Sequence, residues 1–249
     1  MTDVRSLVLV LLVALAGCNG ALGPIASDNG GDADGGNPSL PPGVTDDSVN
    51  ATTLMDAHVE SLDGESFTLE YNLSASSAQA DVVATIGPNR ERAAIHIEKS
   101  HQTEAYFFVD GVQYELDERD GETQYRVVNR SGADGAPFAD RYVRPHELRI
   151  LLAAGEWKTS GTTDCRAGTC WVLDATSVNE SSQLSDASRF DGRAVVAPSG
   201  RVEKISVTIE RPNDTGNVTI TISDVGATTV TRPEWVDEAN ESGTRVGFE

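Results

Sequence analysis

The chain has 249 residues, and 39 acidic against 19 basic side chains give it a formal net charge of −20. A field of that sign repels the phosphates of nucleic acids and anionic lipid headgroups, so no nucleic-acid partner is expected. The longest apolar run ends near residue 16, so no segment suits a membrane-spanning helix of about 20 residues, and one core of ordinary size is expected for the rest.

In chain order, residues 1–17 read as a signal peptide: Arg5, an apolar stretch from Leu7 to Ala16, then Leu15-Ala16-Gly17-Cys18. Small residues before a cysteine let a signal peptidase reach the backbone, and the Cys18 thiol is the nucleophile that takes a lipid. The alternative is an ordinary signal peptide that happens to contain a cysteine. Residues 18–47 read as the lipidated cysteine and a disordered tether, because Asn19 to Asp47 holds seven Gly, four Pro and five Asp with no Lys or Arg. That stretch has too little apolar surface to offset its ordering entropy. Membrane association through the lipid anchor, on the extracytoplasmic face, is the expected localisation.

Residues 48–239 carry the domain. Val49, Leu54, Ala57, His58 and Leu62 recur at helical spacing before Gly64, which predicts a helix from about 50 to 62. Strand-like alternation follows in Phe67, Leu69, Tyr71 and Leu73, then in Val82, Ala84 and Ile86, then in Ala93, Ile95 and Ile97. Ala105 to Val109 is apolar on both faces, and Asp110-Gly111 is a hairpin turn into Val112, Tyr114 and Leu116. After Tyr125 and Val127 comes a break from Asn129 to Arg144. A second helix runs between Pro145 and Gly155 with Leu148, Leu151 and Leu152 as its apolar stripe. Strands resume around Trp157, Trp171, Ala194, Ile205 and Val218, and residues 240–249 read as a flexible tail. The fold class expected is α+β, mainly β: a single strongly curved antiparallel sheet, a half-barrel of about ten strands, with two helices covering the concave face.

Two features of composition extend the location. Only Lys99, Lys158 and Lys204 are lysines, and an excess of acid this large is tolerable where salt screens charge, so the chain reads as halophilic, against an acidic mesophilic surface protein. Seven sequons, at Asn50, Asn72, Asn129, Asn179, Asn213, Asn217 and Asn240, exceed what this composition gives by chance and suggest a glycoprotein.

Pro41-Pro42-Gly43-Val44, Ala57-His58 and the closing Arg232-Pro233-Glu234-Trp235-Val236-Asp237-Glu238-Ala239 resemble an uncharacterised haloarchaeal lipoprotein family. The strand layout and the lipoprotein signal are similar to periplasmic lipoprotein carriers and mycobacterial lipid-binding lipoproteins. That likeness implies a half-barrel around a greasy cavity and a carrier or sensor of an apolar ligand; no ligand-contacting residue transfers with it.

Few residues offer chemistry. Cys165 and Cys170 flank four residues between two predicted strands, a spacing that suits a disulfide in an oxidising compartment, with free thiols or a metal as alternatives. His96 and His101 with Glu98 or Glu104 are an imaginable metal patch, but surface histidines are the plainer reading, and no metal or other cofactor is expected. No catalytic residue stands out, because no nucleophile elbow, phosphate loop or zinc-protease motif is present, so the chain is not expected to be an enzyme. Phe67, Tyr71, Phe107, Tyr114, Trp157 and Trp171 are candidates to line a ligand cavity or simply to fill the core. The expectation is a non-catalytic binder or carrier of a hydrophobic small molecule or lipid. The alternative is a structural, sensor or protein-interaction lipoprotein of the envelope with a filled core.

Overall fold

The computed structural model describes residues 39–130 and 145–247, so Cys18, the signal peptide and most of the tether lie outside the described residues. Six strands form a first meander: β1 Phe67–Ala75, β2 Ala78–Ile86, β3 Arg92–Lys99, β4 Gln102–Val109, β5 Val112–Arg119 and β6 Glu122–Asn129. Five form a second: β7 Lys158–Cys165, β8 Gly168–Ala175, β9 Arg189–Val196, β10 Val202–Arg211 and β11 Asp214–Ser223. With β12, Thr244–Val246, they make one twelve-stranded sheet in the order β12-β6-β5-β4-β3-β2-β1-β11-β10-β9-β8-β7. The meanders are joined where β11 pairs with β1, in register Leu69↔Ile222, Tyr71↔Ile220 and Leu73↔Val218.

The mainly β α+β fold with one curved sheet was legible in the sequence, with two more strands than expected. Helix α1, Ala51–Glu60, starts where the Asn50 side chain accepts the Thr53 N–H at 3.1 Å, and buries Leu54, Met55, Ala57 and His58. Helix α2, His146–Ala154, sits between Pro145 and Gly155 and buries Leu148, Leu151, Leu152 and Ala154. Both helices join the principal core, together with the concave residues Phe67, Leu69, Ile86, Ile95, Ile205 and Ile220. Curvature is helped by register shifts between Val202 and Lys204 and between Thr159 and Gly161, where an extra residue bends the strand. Asp110-Gly111 and Asp120-Gly121 are tight turns with positive φ at both positions, a backbone that Asp tolerates and Gly adopts without strain.

Three expectations need correction. A third helix, α3 (Trp235–Ser242), is absent from the sequence-based layout, and it packs against β5 and β6 from the convex side. The chain reaches it as a strap after β11: Gly226 N–H donates to Ser66 O, Thr228 Oγ1 and Thr68 Oγ1 are 3.0 Å apart, and Val230 and Val236 close over Phe107. This is why β4 is apolar on both faces: Phe108 belongs to the concave core and Phe107 to the cluster under α3. Residues 240–249 are therefore not simply a tail, since α3 ends at Ser242 and β12 pairs with β6 in the one parallel ladder among the described strands. β12 is exposed throughout and is held by backbone pairing, which leaves no apolar signature in sequence. The last tether residues also belong to the folded unit. Pro41 and Val44 are buried, Val44 bridges to Val49, and Asp46 O accepts the Thr159 N–H at 3.1 Å.

Cys165 and Cys170 form a disulfide with Cα atoms 5.7 Å apart, closing the β7–β8 hairpin at the sheet edge. A loop this short removes little entropy from the unfolded chain, about 2 kcal/mol by the chain-entropy account. Replacing both cysteines with alanine is expected to lower the midpoint of thermal unfolding by roughly 4 to 8 °C for a domain of this size, read by calorimetry. An unchanged midpoint would show that the ladder alone holds the hairpin.

Candidate ligand-binding face

Directly opposed residues in neighbouring strands share a sheet face, so the ladder registers map the concave surface. One row runs Ile220, Tyr71, Val82, Ile97, Glu104, Asp117, Gln124 from β11 to β6. The next row runs Val218, Leu73, Ala80, Lys99, Gln102, Arg119, Glu122. Both are apolar over β11, β1 and β2 and polar over β4 to β6, with the crossover at β3. The concave face is thus graded along the direction perpendicular to the strands.

At the apolar end, Tyr71, Leu73, Val82, Ile97 and Tyr106 are half-buried and pack on the edge of the core. Burial pushes the Tyr71 phenol well above its usual range, with the Glu147 carboxylate of α2 adding to the shift, so the hydroxyl stays neutral. At the boundary Lys99 Nζ lies 2.5 Å from Glu104 Oε1, and Tyr106 donates to Glu104 Oε2 at 2.8 Å. Beyond it Gln102 donates to Asp117 at 2.9 Å, Gln113 to Glu115 at 2.7 Å, and Arg126 to Glu115 at 3.2 Å. Gln113 is only 2% exposed and also accepts from Arg130 at 3.2 Å. An open cleft of about 450 Å³ lies at this polar end, lined by Asp117, Arg119, Asp120, Glu122 and Gln124. A second cleft, about 350 Å³, includes Arg166 and Arg201, each already matched by Asp224 and Glu203 respectively.

The six aromatic candidates do not come together. Phe67 and Trp157 are fully packed in the core, and Trp171 lies on the concave phase of β8, opposite Val196. Tyr71 is on the half-buried strip. Phe107 and Tyr114 are on the convex face, their rings 6.3 Å apart under α3, so they line no concave cavity. Phe107 sits in the stretch of β4 that is apolar on both phases, which leaves its choice of face undetermined in sequence, and Tyr114 is its cross-strand partner in β5. The imagined metal patch is split by the same pleat. His96 Nε2 lies 3.0 Å from Glu98 on the convex side, while Glu104 faces inward to Lys99. Among the described residues no group of three or more His, Cys, Asp or Glu could hold a metal ion. Sequence reasoning missed the polar network of β4 to β6, although alternate residues Gln113, Glu115, Asp117 and Arg119 are a period-2 signal that could have shown it.

The sequence matches, over residues 3–239, a family described as a family of unknown function, DUF7537. The chain belongs to this family. No curated protein matches it. Among solved structures, the DUF7537 chain is similar to LprF from Mycobacterium bovis at 15% identity, covering 74% of this chain and 96% of that one with a TM-score of 0.39. It is also similar to the lipoprotein LppX of Mycobacterium tuberculosis, at 9% identity, covering 74% and 100% with a TM-score of 0.36. A third is an uncharacterized conserved protein from Thermus thermophilus, at 8% identity, covering 78% and 98% with a TM-score of 0.36.

Proposed function

We propose that this protein is a non-catalytic lipoprotein, anchored through Cys18 on the extracytoplasmic face, whose concave sheet face binds an amphipathic lipid or similar hydrophobic molecule. The observation that carries this reading is the graded face. A half-buried apolar strip on Tyr71, Leu73, Val82 and Ile97 passes, strand by strand at about 4.8 Å, into a hydrogen-bonding surface on β4 to β6. Apolar chains lying on the strip leave water, and a polar end reaches amides and carboxylates that replace its hydration. No helix among the described residues is long and apolar enough to cross a membrane, so the attachment in this reading is the lipid on Cys18.

Purification from native membranes without detergent, followed by solvent extraction and mass spectrometry, is expected to yield a stoichiometric amphiphile. Val82→Asp and Ile97→Asp, each placing a charge on the strip, are expected to lower occupancy at least tenfold, because an unpaired carboxylate on an apolar face is costly. An empty extract together with no binding of an apolar fluorophore would discard the ligand. Cys18→Ser is expected to release the protein to the medium; continued membrane association would remove the anchor from the reading.

A second reading, an envelope interaction protein with a filled interior, is favoured by the β8 to β11 half of the face. There Phe190, Leu173 and Val196 are packed to 1% exposure or less, and Trp157, from the segment before β7, closes on Phe190 at 2% exposure. The same extraction separates the two.

A further inference from the structure

The seven sequons sit in very different places. An acceptor asparagine has to present its amide nitrogen on an accessible loop, since the glycan is bulky and the transferase approaches from solvent. Asn72 and Asn217 are in the interior of β1 and β11, paired on both sides. The Asn72 amide nitrogen donates to Asp81 Oδ1 at 2.7 Å, and Asn217 Oδ1 accepts from Thr208 at 2.8 Å. They are also diagonal neighbours, Asn72 opposite Thr219 and Asn217 opposite Ser74, so glycans on both would collide. Asn50 caps α1, and Asn240 lies within α3 with Arg245 on its carbonyl oxygen at 3.0 Å. Asn129 closes β6 with its backbone 3.2 Å from where a side chain at Gly247 would begin. Asn179 is in a loop, but its backbone N–H donates to Ala154 O at 2.6 Å and its side chain accepts from Ser181 N–H at 3.0 Å.

Asn213 differs from all of these. It is the second residue of the two-residue turn Pro212-Asn213 that joins β10 to β11, closed by the pair Arg211↔Asp214. It is exposed, and its side chain bonds to none of the described residues. Its neighbour Asp214 is turned the other way, accepting from Ser76 N–H at 3.1 Å and Ser77 Oγ at 3.3 Å, which fixes the tip against the β1–β2 turn. Thr215, the hydroxyl residue of the sequon, is also exposed.

We propose that Asn213 is the N-glycan attachment site of the folded protein. The donor class is a polyprenyl-phosphate-linked glycan. The Asn213 amide nitrogen forms a bond to the anomeric carbon, the bond from that carbon to the phosphate oxygen breaks, the lipid phosphate leaves, and the amide proton passes to a base on the transferase. The glycan would stand at the hairpin tip, clear of the concave face. The inference rests on the extracytoplasmic reading, because the chain has to meet the transferase there.

The test is peptide mapping by mass spectrometry of full-length protein from its own cells, alongside protease treatment of intact cells. A glycan mass on the Asn213 peptide, lost in Asn213→Gln and in Thr215→Ala but kept in Asn72→Gln and Asn217→Gln, is the expected result. Two variants that remove the sequon differently guard against a folding artefact in either. A protease-accessible chain with bare Asn213, or with glycan on Asn72 or Asn217 instead, overturns this inference alone. A chain that protease never reaches overturns the extracytoplasmic reading as well.

Discussion

Replacing Trp157 with alanine is expected to destabilise the domain by about 3 to 5 kcal/mol, the range for deleting a large buried aromatic side chain. Trp157 is 2% exposed, meets Phe190 edge-to-face with ring centroids 5.9 Å apart, and donates its indole N–H to Leu151 O at 3.3 Å. It ties the last turn of α2 to the sheet. Its seat is made by two glycines: a Cβ at Gly155 or at Gly192 would lie 2.6 Å from an indole atom. A gap of that volume has rigid walls, because backbone lines it on two sides, so the cavity collapses poorly and the cost sits high in the range. Gly192→Ala pushes on the same ring from the opposite direction and is expected to destabilise as well. Urea unfolding followed by circular dichroism is the measurement. A loss under about 1 kcal/mol for Trp157→Ala, with α2 still docked, would show that the indole only fills space.

Stability is also expected to fall by about 3 kcal/mol between neutral pH and pH 4 through His58 alone. The imidazole is fully buried between α1 and the start of β10, where Nδ1 accepts the Val202 N–H at 3.2 Å. Burial first, and the nearby Arg201 charge second, lower its pKa from 6.5 to about 4. Between those two values the unfolded chain binds a proton that the folded chain refuses. The contribution of neutral His58 is therefore complete above pH 6.5 and is lost as the pH drops towards 4, at up to about 1.4 kcal/mol per unit. Protonation would also remove the acceptor that holds Val202. His58→Asn keeps an acceptor near the Nδ1 position but does not titrate. Carboxylates titrate in both proteins at the acid end, so the difference between the two stability profiles isolates His58. Profiles that run parallel from about pH 7 to about pH 4.5 would refute the assignment.

Neither prediction could have been written from the sequence. His58 is legible as one of five residues on the apolar stripe of a helix, which says that it is buried. The backbone N–H that its Nδ1 accepts comes from β10, 144 residues away. Trp157 is legible as core or cavity, and the glycines that decide between them lie at a helix cap and in β9, brought together only when α2 docks.

The polar phase of β5 shows the same limit from another side. Alternation in Val112, Tyr114 and Leu116 reads as a buried face, and Tyr114 does pack there, but on the convex side under α3. A period of two separates the faces of a strand and cannot say which of them the helices cover. Because α3 follows the strap rather than a strand, it covers the convex face of β5 that carries Val112, Tyr114 and Leu116, while α1 and α2 join the core on the other side of the sheet. The concave face of β4 to β6 is polar in the rows through Glu104 and Gln102, while Phe108 on the same face belongs to the core.

What the sequence determined by itself was local: strand periodicity, the helix stop at Gly155, the Asp110-Gly111 turn and the spacing of Cys165 and Cys170. Each depends on residues close together in the chain, whose sterics and hydrogen bonds are the same in any fold. Which strand closed on β1, which face α3 shielded, and how the apolar strip met the polar network were decided by contacts between residues far apart in the chain. Those choices are energetic comparisons among whole packings, so they exist only once the sheet has curled.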